Sequence, residues 1–114
     1  MKNSIVTTSF FESRYKRFKK KFPTIENEME DLKNILLENP KTGTLITQNV
    51  YKIRLASTDK NKGKSGGFRI ITYLIEEKET GFEINLMLIY DKSEDSSFDK
   101  NYIMKLIKSI FGTP

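Results

Sequence analysis

No cysteine and no histidine occurs in these 114 residues. The first absence excludes a disulfide framework, cysteine nucleophiles and thiolate metal sites, and suits a reducing compartment. The second removes the commonest general base and the commonest metal ligand. Acid–base chemistry therefore falls to Lys, Arg, Tyr, Asp or Glu, and neither a metal nor a cofactor is expected. A signal peptide and a long apolar run are also missing, so the expected address is cytoplasmic, with no membrane partner.

What is present favours a folded globule. Residues 1–114 suit a single domain, with no internal repeat or linker. Hydrophobic residues make up 37% of the chain and eight Phe plus five Tyr supply bulk, which argues against disorder. The formal charge of +5 favours a polyanionic partner, nucleic acid first. Its placement says more. Six basic residues and no acid lie between Arg14 and Lys21, and six against the single Asp59 lie between Lys52 and Arg69. Acids gather elsewhere, around Glu26–Asp31, Glu76–Glu83 and Asp91–Asp99. A basic side is expected.

Periodicity orders the elements. Ile5–Thr8 suits a short opening strand. Ser9, with Glu12 three residues on, suggests a capped helix start. Phe11, Tyr15, Phe18 and Phe22 then form an aromatic helical stripe, with Arg14, Arg17 and Lys21 falling away from it. Pro23 ends this helix and Thr24 caps a second, whose stripe is Ile25, Met29, Leu32 and Leu36. Asn39-Pro40 stops it. This helical hairpin needs a sheet to cover. Leu45–Gln48 leads into three strands: Tyr51–Leu55, about Phe68–Ile75, and Phe82–Tyr90, the last two joined as a hairpin. Leu86–Tyr90 has no charged residue, so that strand should be covered on both faces. An acidic, serine-rich connector follows. Ile103, Leu106, Ile107 and Ile110 then mark a final helix over Asp99–Phe111, with Gly112 as its cap. The order is β-α-α-β-β-β-α.

Within the strand block, Tyr51, Ile53 and Leu55 point one way, and Lys52 and Arg54 the other. Residues two apart share a face about 6.6 Å from each other at ~3.3 Å rise per residue. Two cations so spaced, with Arg69 from the next strand, fit a bound phosphate; they fit a solvated face equally. Lys62 and Lys64, in the glycine-rich loop ahead of Arg69, fit either a phosphate cradle or surface charge. Arg14, Arg17 and Lys21 fit a solvated helix face or a grip on nucleic-acid phosphates, which the resemblance described next would make those of ribosomal RNA. Tyr73 and Tyr90 fit core positions, proton transfer, or stacking on a splayed base.

Three segments resemble the RelE/ParE superfamily of bacterial toxin–antitoxin toxins, on its RelE and HigB side. They are Tyr51-Lys52-Ile53-Arg54-Leu55, Gly63-Lys64-Ser65-Gly66-Gly67-Phe68-Arg69-Ile70-Ile71, and Leu88-Ile89-Tyr90-Asp91-Lys92-Ser93. With the helical hairpin ahead of them, they cover nearly the whole chain. The resemblance implies an α+β, RelE-like fold: an N-terminal helical hairpin on a twisted, mainly antiparallel sheet, closed by a C-terminal helix. It further implies a metal-independent endoribonuclease (an mRNA interferase) that cuts messenger RNA on the ribosome, and a cognate antitoxin protein as partner. Lys52 and Arg54 match the family's basic strand pair, Arg69 the arginine opening the next strand, and Lys92 the basic residue after the last. Phe98 stands where several relatives carry a catalytic tyrosine. ParE-like relatives instead inhibit DNA gyrase by binding the protein, and a catalytically inactive copy would bind only its antitoxin or nucleic acid.

The nuclease chemistry assigns roles. In attack by the ribose 2′-hydroxyl, the protein must take one proton, give one, and hold the charge of a five-coordinate phosphorus. Arg54 and Arg69 suit the charge, since a planar fork meets two phosphate oxygens at once. Lys52 suits a base where neighbouring cations and desolvation favour its neutral form. Tyr90 and Tyr73 are the remaining proton-transfer candidates, and Lys92 completes the catalytic set.

Overall fold

The computed structural model describes residues 2–59, 66–77, 79 and 81–112. The loop lysines Lys62 and Lys64 lie outside the described residues. The elements run β1 (Ser4–Thr7), α1 (Ser9–Lys21), α2 (Ile25–Glu38), β2 (Thr44–Thr47), β3 (Val50–Leu55), β4 (Phe68–Glu77), β5 (Gly81–Asp91), a 3-10 helix (Lys92–Ser97) and α3 (Lys100–Phe111). The strands form one five-stranded mixed sheet in the order β1-β5-β4-β3-β2. β1 runs parallel to β5, and every other pair is antiparallel. The result is an α+β architecture.

Both helical stripes do what their spacing predicts. Phe11, Ile25, Met29, Leu32 and Leu36 are buried, with Tyr15, Phe18 and Phe22 packed against them on one face of the sheet. Rings of Phe18 and Phe22 meet Phe68 of β4 at 4.8 and 5.6 Å between centroids. Local details differ from expectation. The N-cap of α1 is Thr8, one residue earlier than Ser9, because its hydroxyl accepts from the Phe11 amide at 3.0 Å. Thr44–Thr47 is a strand in its own right, at the edge beside β3. The acidic connector is a 3-10 helix closed by a capping box, in which Asp91 and Glu94 exchange side-chain bonds with each other's turn.

The other face of the sheet carries a second core. Val50, Ile71, Met87, Leu88 and Tyr90 pack there against Phe98 and against Ile103 and Ile107 of α3. β5 is therefore covered on both sides, and Ile84 through Tyr90 are at most 2% exposed. One irregularity decides which residues face where. Ile71 pairs with Leu88, but Thr72 pairs with Leu86, so Met87 is an extra residue in β5. A bulge of this kind reverses the facing of all that follows. Ile84 and Leu86 face α1 and α2, whereas Leu88 and Tyr90 face α3.

Candidate functional site

The C-terminal end of β3, the start of β4 and the end of β5 lie side by side at one end of the sheet. Arg54 pairs with Arg69, and Arg69 with Tyr90, so the three form one row across the strands. Residues directly opposite in antiparallel strands point the same way. Lys52 pairs with Ile71 in the next row, on the same face. Lys52, Arg54, Arg69 and Tyr90 thus share the α3 face. Opposed residues of antiparallel strands have Cβ atoms ~5 Å apart, so Arg54 and Arg69 can meet one anion together.

Their accessibility differs sharply. Arg54 is exposed and Lys52 half-buried. Arg69 is 4% exposed and its Nη1 donates to the Phe68 carbonyl at 3.1 Å. Tyr90 is wholly buried, its ring 5.0 Å from Phe98. The Tyr90 hydroxyl and the Asp95 Oδ1 both lie buried without a hydrogen-bond partner. Burial first, then Asp95, pushes the Tyr90 hydroxyl far above its ordinary value, against a smaller opposing pull from Arg69. Tyr90 is therefore a neutral phenol in the core, unable to touch a substrate in this conformation. Phe98 is 7% exposed and meets Tyr102 edge-on at 5.0 Å. Lys92 is exposed on the 3-10 helix, and its amide donates to the Gly67 carbonyl at 3.1 Å. A methyl group on Gly67 would overlap the Leu55 carbonyl oxygen. That glycine serves the close approach of β3, β4 and the 3-10 helix at this end.

The remaining sequence-predicted residues lie elsewhere. Tyr73 is four residues from Arg69 on β4, about 13 Å along the strand, with its ring 5.1 Å from Phe111. Arg17 and Lys21 are exposed on α1, the layer on the opposite side of the sheet from Lys52 and Arg54. Arg14 does not fall away from the aromatic stripe as expected. Its Nη2 contacts Glu94 at 2.8 Å, and its Nε donates to the Ile89 carbonyl at 2.8 Å. The guanidinium also lies 4.9 Å from the Phe98 ring centroid. The reason is the shortness of β1. Its pairing with β5 ends at Leu86, leaving later β5 carbonyls to be met by Thr8 and Arg14.

Sequence reasoning missed Asp95 and the Arg14–Glu94 clamp. A signal for the turn existed: Asp91 followed three residues on by Glu94 is a capping-box spacing. Nothing in the pattern marked Arg14 apart from its basic neighbours. No protein-family model matches the sequence. Among the described residues, no helix is long and apolar enough to cross a membrane.

Proposed function

We propose that this chain is the toxin of a type II toxin–antitoxin pair, with a RelE/HigB-like fold. In this proposal it acts in the cytoplasm as a metal-independent endoribonuclease on ribosome-bound messenger RNA, and a cognate antitoxin protein restrains it. The observation that carries the reading is the cross-strand row. Arg54 and Arg69 stand opposite each other on one face, with Lys52 one row away. Two guanidinium groups and an amine so arranged can close on one RNA phosphate.

In the proposed reaction the ribose 2′-oxygen attacks the adjacent phosphorus and the 5′-oxygen leaves. Arg54, which is open to solvent, takes the phosphate. Arg69 supplies positive charge from beneath, and Lys92 approaches from the 3-10 helix. Lys52, a half-exposed amine, takes the 2′-hydroxyl proton, and the Lys92 ammonium gives one to the departing 5′-oxygen. Loss of one preorganised donor of this kind costs about 2.7–4 kcal/mol of barrier, or ~10²–10³ in rate. The test is expression of the wild type, Arg54→Ala and Arg69→Ala, with transcript ends mapped after induction. Wild type should arrest growth and cut in phase with the reading frame, and each variant should lose at least about 100-fold in cleavage. Undiminished cleavage by both variants rejects the mechanism.

One observation favours a second reading. Tyr90 is buried and Phe98 has no hydroxyl, which leaves few groups for proton transfer. A ParE-like inhibitor that binds gyrase needs none. Loss of supercoiling by gyrase, with transcripts left intact, selects that reading over the first.

A further inference from the structure

On the α3 face, well away from Arg69, the C-terminal half of α3 leaves an open groove of about 650 Å³ against the sheet. Its walls include Val50 and Tyr73 from the sheet, and Met104 and Phe111 from α3. Lys105 and Lys108 line the α3 side, and among the described residues no carboxylate joins them in the lining. Met104, Ile110 and Phe111 of α3 remain 40%, 42% and 39% exposed, whereas Ile103 and Ile107 are buried. The helix carries Lys100, Lys105 and Lys108 and no acid.

The chemistry of this groove selects its occupant. Exposed, contiguous apolar walls mark an interaction surface, and the volume lies within the ~300–1,000 Å³ that accepts several side chains. Methionine adapts its shape to what enters. Lys105 and Lys108, three apart, share a side of the helix and present two cations beside those walls. RNA is a poorer match, because the Tyr73 and Phe111 rings pack on each other, 5.1 Å apart, rather than offering free faces for bases. We infer that this groove docks an acidic amphipathic peptide segment of another protein. Its apolar side chains enter between Tyr73, Met104 and Phe111, and its carboxylates meet Lys105 and Lys108. The inference is independent of the reaction proposed above.

The test starts with a display library of random linear peptides selected on the full chain. Enriched peptides are synthesised, labelled and titrated by fluorescence anisotropy. Enrichment should yield sequences that combine Glu or Asp with large apolar residues. Their affinity should fall roughly tenfold or more for the Lys105→Glu/Lys108→Glu pair and for Met104→Glu. The Lys105→Gln/Lys108→Gln pair should give a smaller loss, and Leu37→Glu on α2 none. All of these positions are exposed, so the variants should fold, and thermal melts check that they do. Absence of enrichment, enrichment of peptides without acids, or binding untouched by these substitutions overturns the inference. Two further probes are a single-stranded RNA oligomer and vesicles of mixed phosphatidylserine and phosphatidylcholine. If the Glu variants weaken those and spare the peptides, the groove serves a polyanion and the inference fails. It fails also if sedimentation shows a dimer of this chain that Met104→Glu dissolves.

Discussion

The Tyr90 hydroxyl is buried beside Asp95, close enough to feel its charge but outside good hydrogen-bond geometry. An unsatisfied buried polar group costs about 1–3 kcal/mol. Tyr90→Phe keeps the ring against Phe98 and removes the hydroxyl, so urea unfolding at neutral pH should show a gain of about 1 kcal/mol. The pH dependence has a definite sign. Burial raises the Tyr90 value above 10.0 in the fold, so the neutral form is favoured there while the unfolded chain ionises near the ordinary value. Stability from this source is complete below about pH 10 and is lost as pH rises beyond it. Wild type should therefore weaken more steeply than Tyr90→Phe in unfolding curves between neutral and strongly alkaline pH. Some slope should survive in the variant, because burial also raises Tyr15.

At the scale of elements, the 3-10 helix is held by contacts from outside itself. Glu94 accepts from the Asp91 amide at 3.0 Å and from Arg14 Nη2 at 2.8 and 3.0 Å, so α1 and the 3-10 helix are clamped together. Arg14→Met keeps much of the packing against Phe18 and Phe98 but removes the charged donor to Glu94, which keeps only the Asp91 amide, and the Arg14 bond to the Ile89 carbonyl. Bonds to charged groups are worth about 1.5–3 kcal/mol each, and Glu94 is partly exposed, which lowers its share. The expected loss in urea unfolding is about 2 kcal/mol. The stripes of α1 and α2, the paired strands and α3 with its Gly112 cap were all legible, because each rests on a local period or a local cap. The bulge at Met87 was not. Leu86 to Tyr90 lacks the polar–apolar alternation that would reveal which residue changes sides. For the same reason no pattern told whether Tyr90 meets the basic row or the other core.

At the scale of the whole molecule, the basic side chains among the described residues do not gather on one side. Arg14 turns inward to Glu94, Arg17 and Lys21 sit on the α1 layer, and Lys52 and Arg54 lie on the face that α3 partly covers. Clustering along the chain was readable; clustering in space depends on which sheet face each element covers, and that emerges only from tertiary packing. The separation has a measurable consequence. A helix is ~10 Å across, so charges beyond α1 and charges on the far face of the sheet stand further apart than a Debye length of ~8 Å at physiological salt. They act as separate fields. For single-stranded RNA, each phosphate contact contributes about 0.7 to the slope of log affinity against log salt. In anisotropy titrations over a series of KCl concentrations, Lys52→Gln and Arg54→Gln should each flatten that slope by about 0.7. The Arg17→Gln/Lys21→Gln double variant should leave it unchanged. An equal flattening from the α1 pair would mean that one RNA strand spans both layers, and the basic row would then be only part of a longer track.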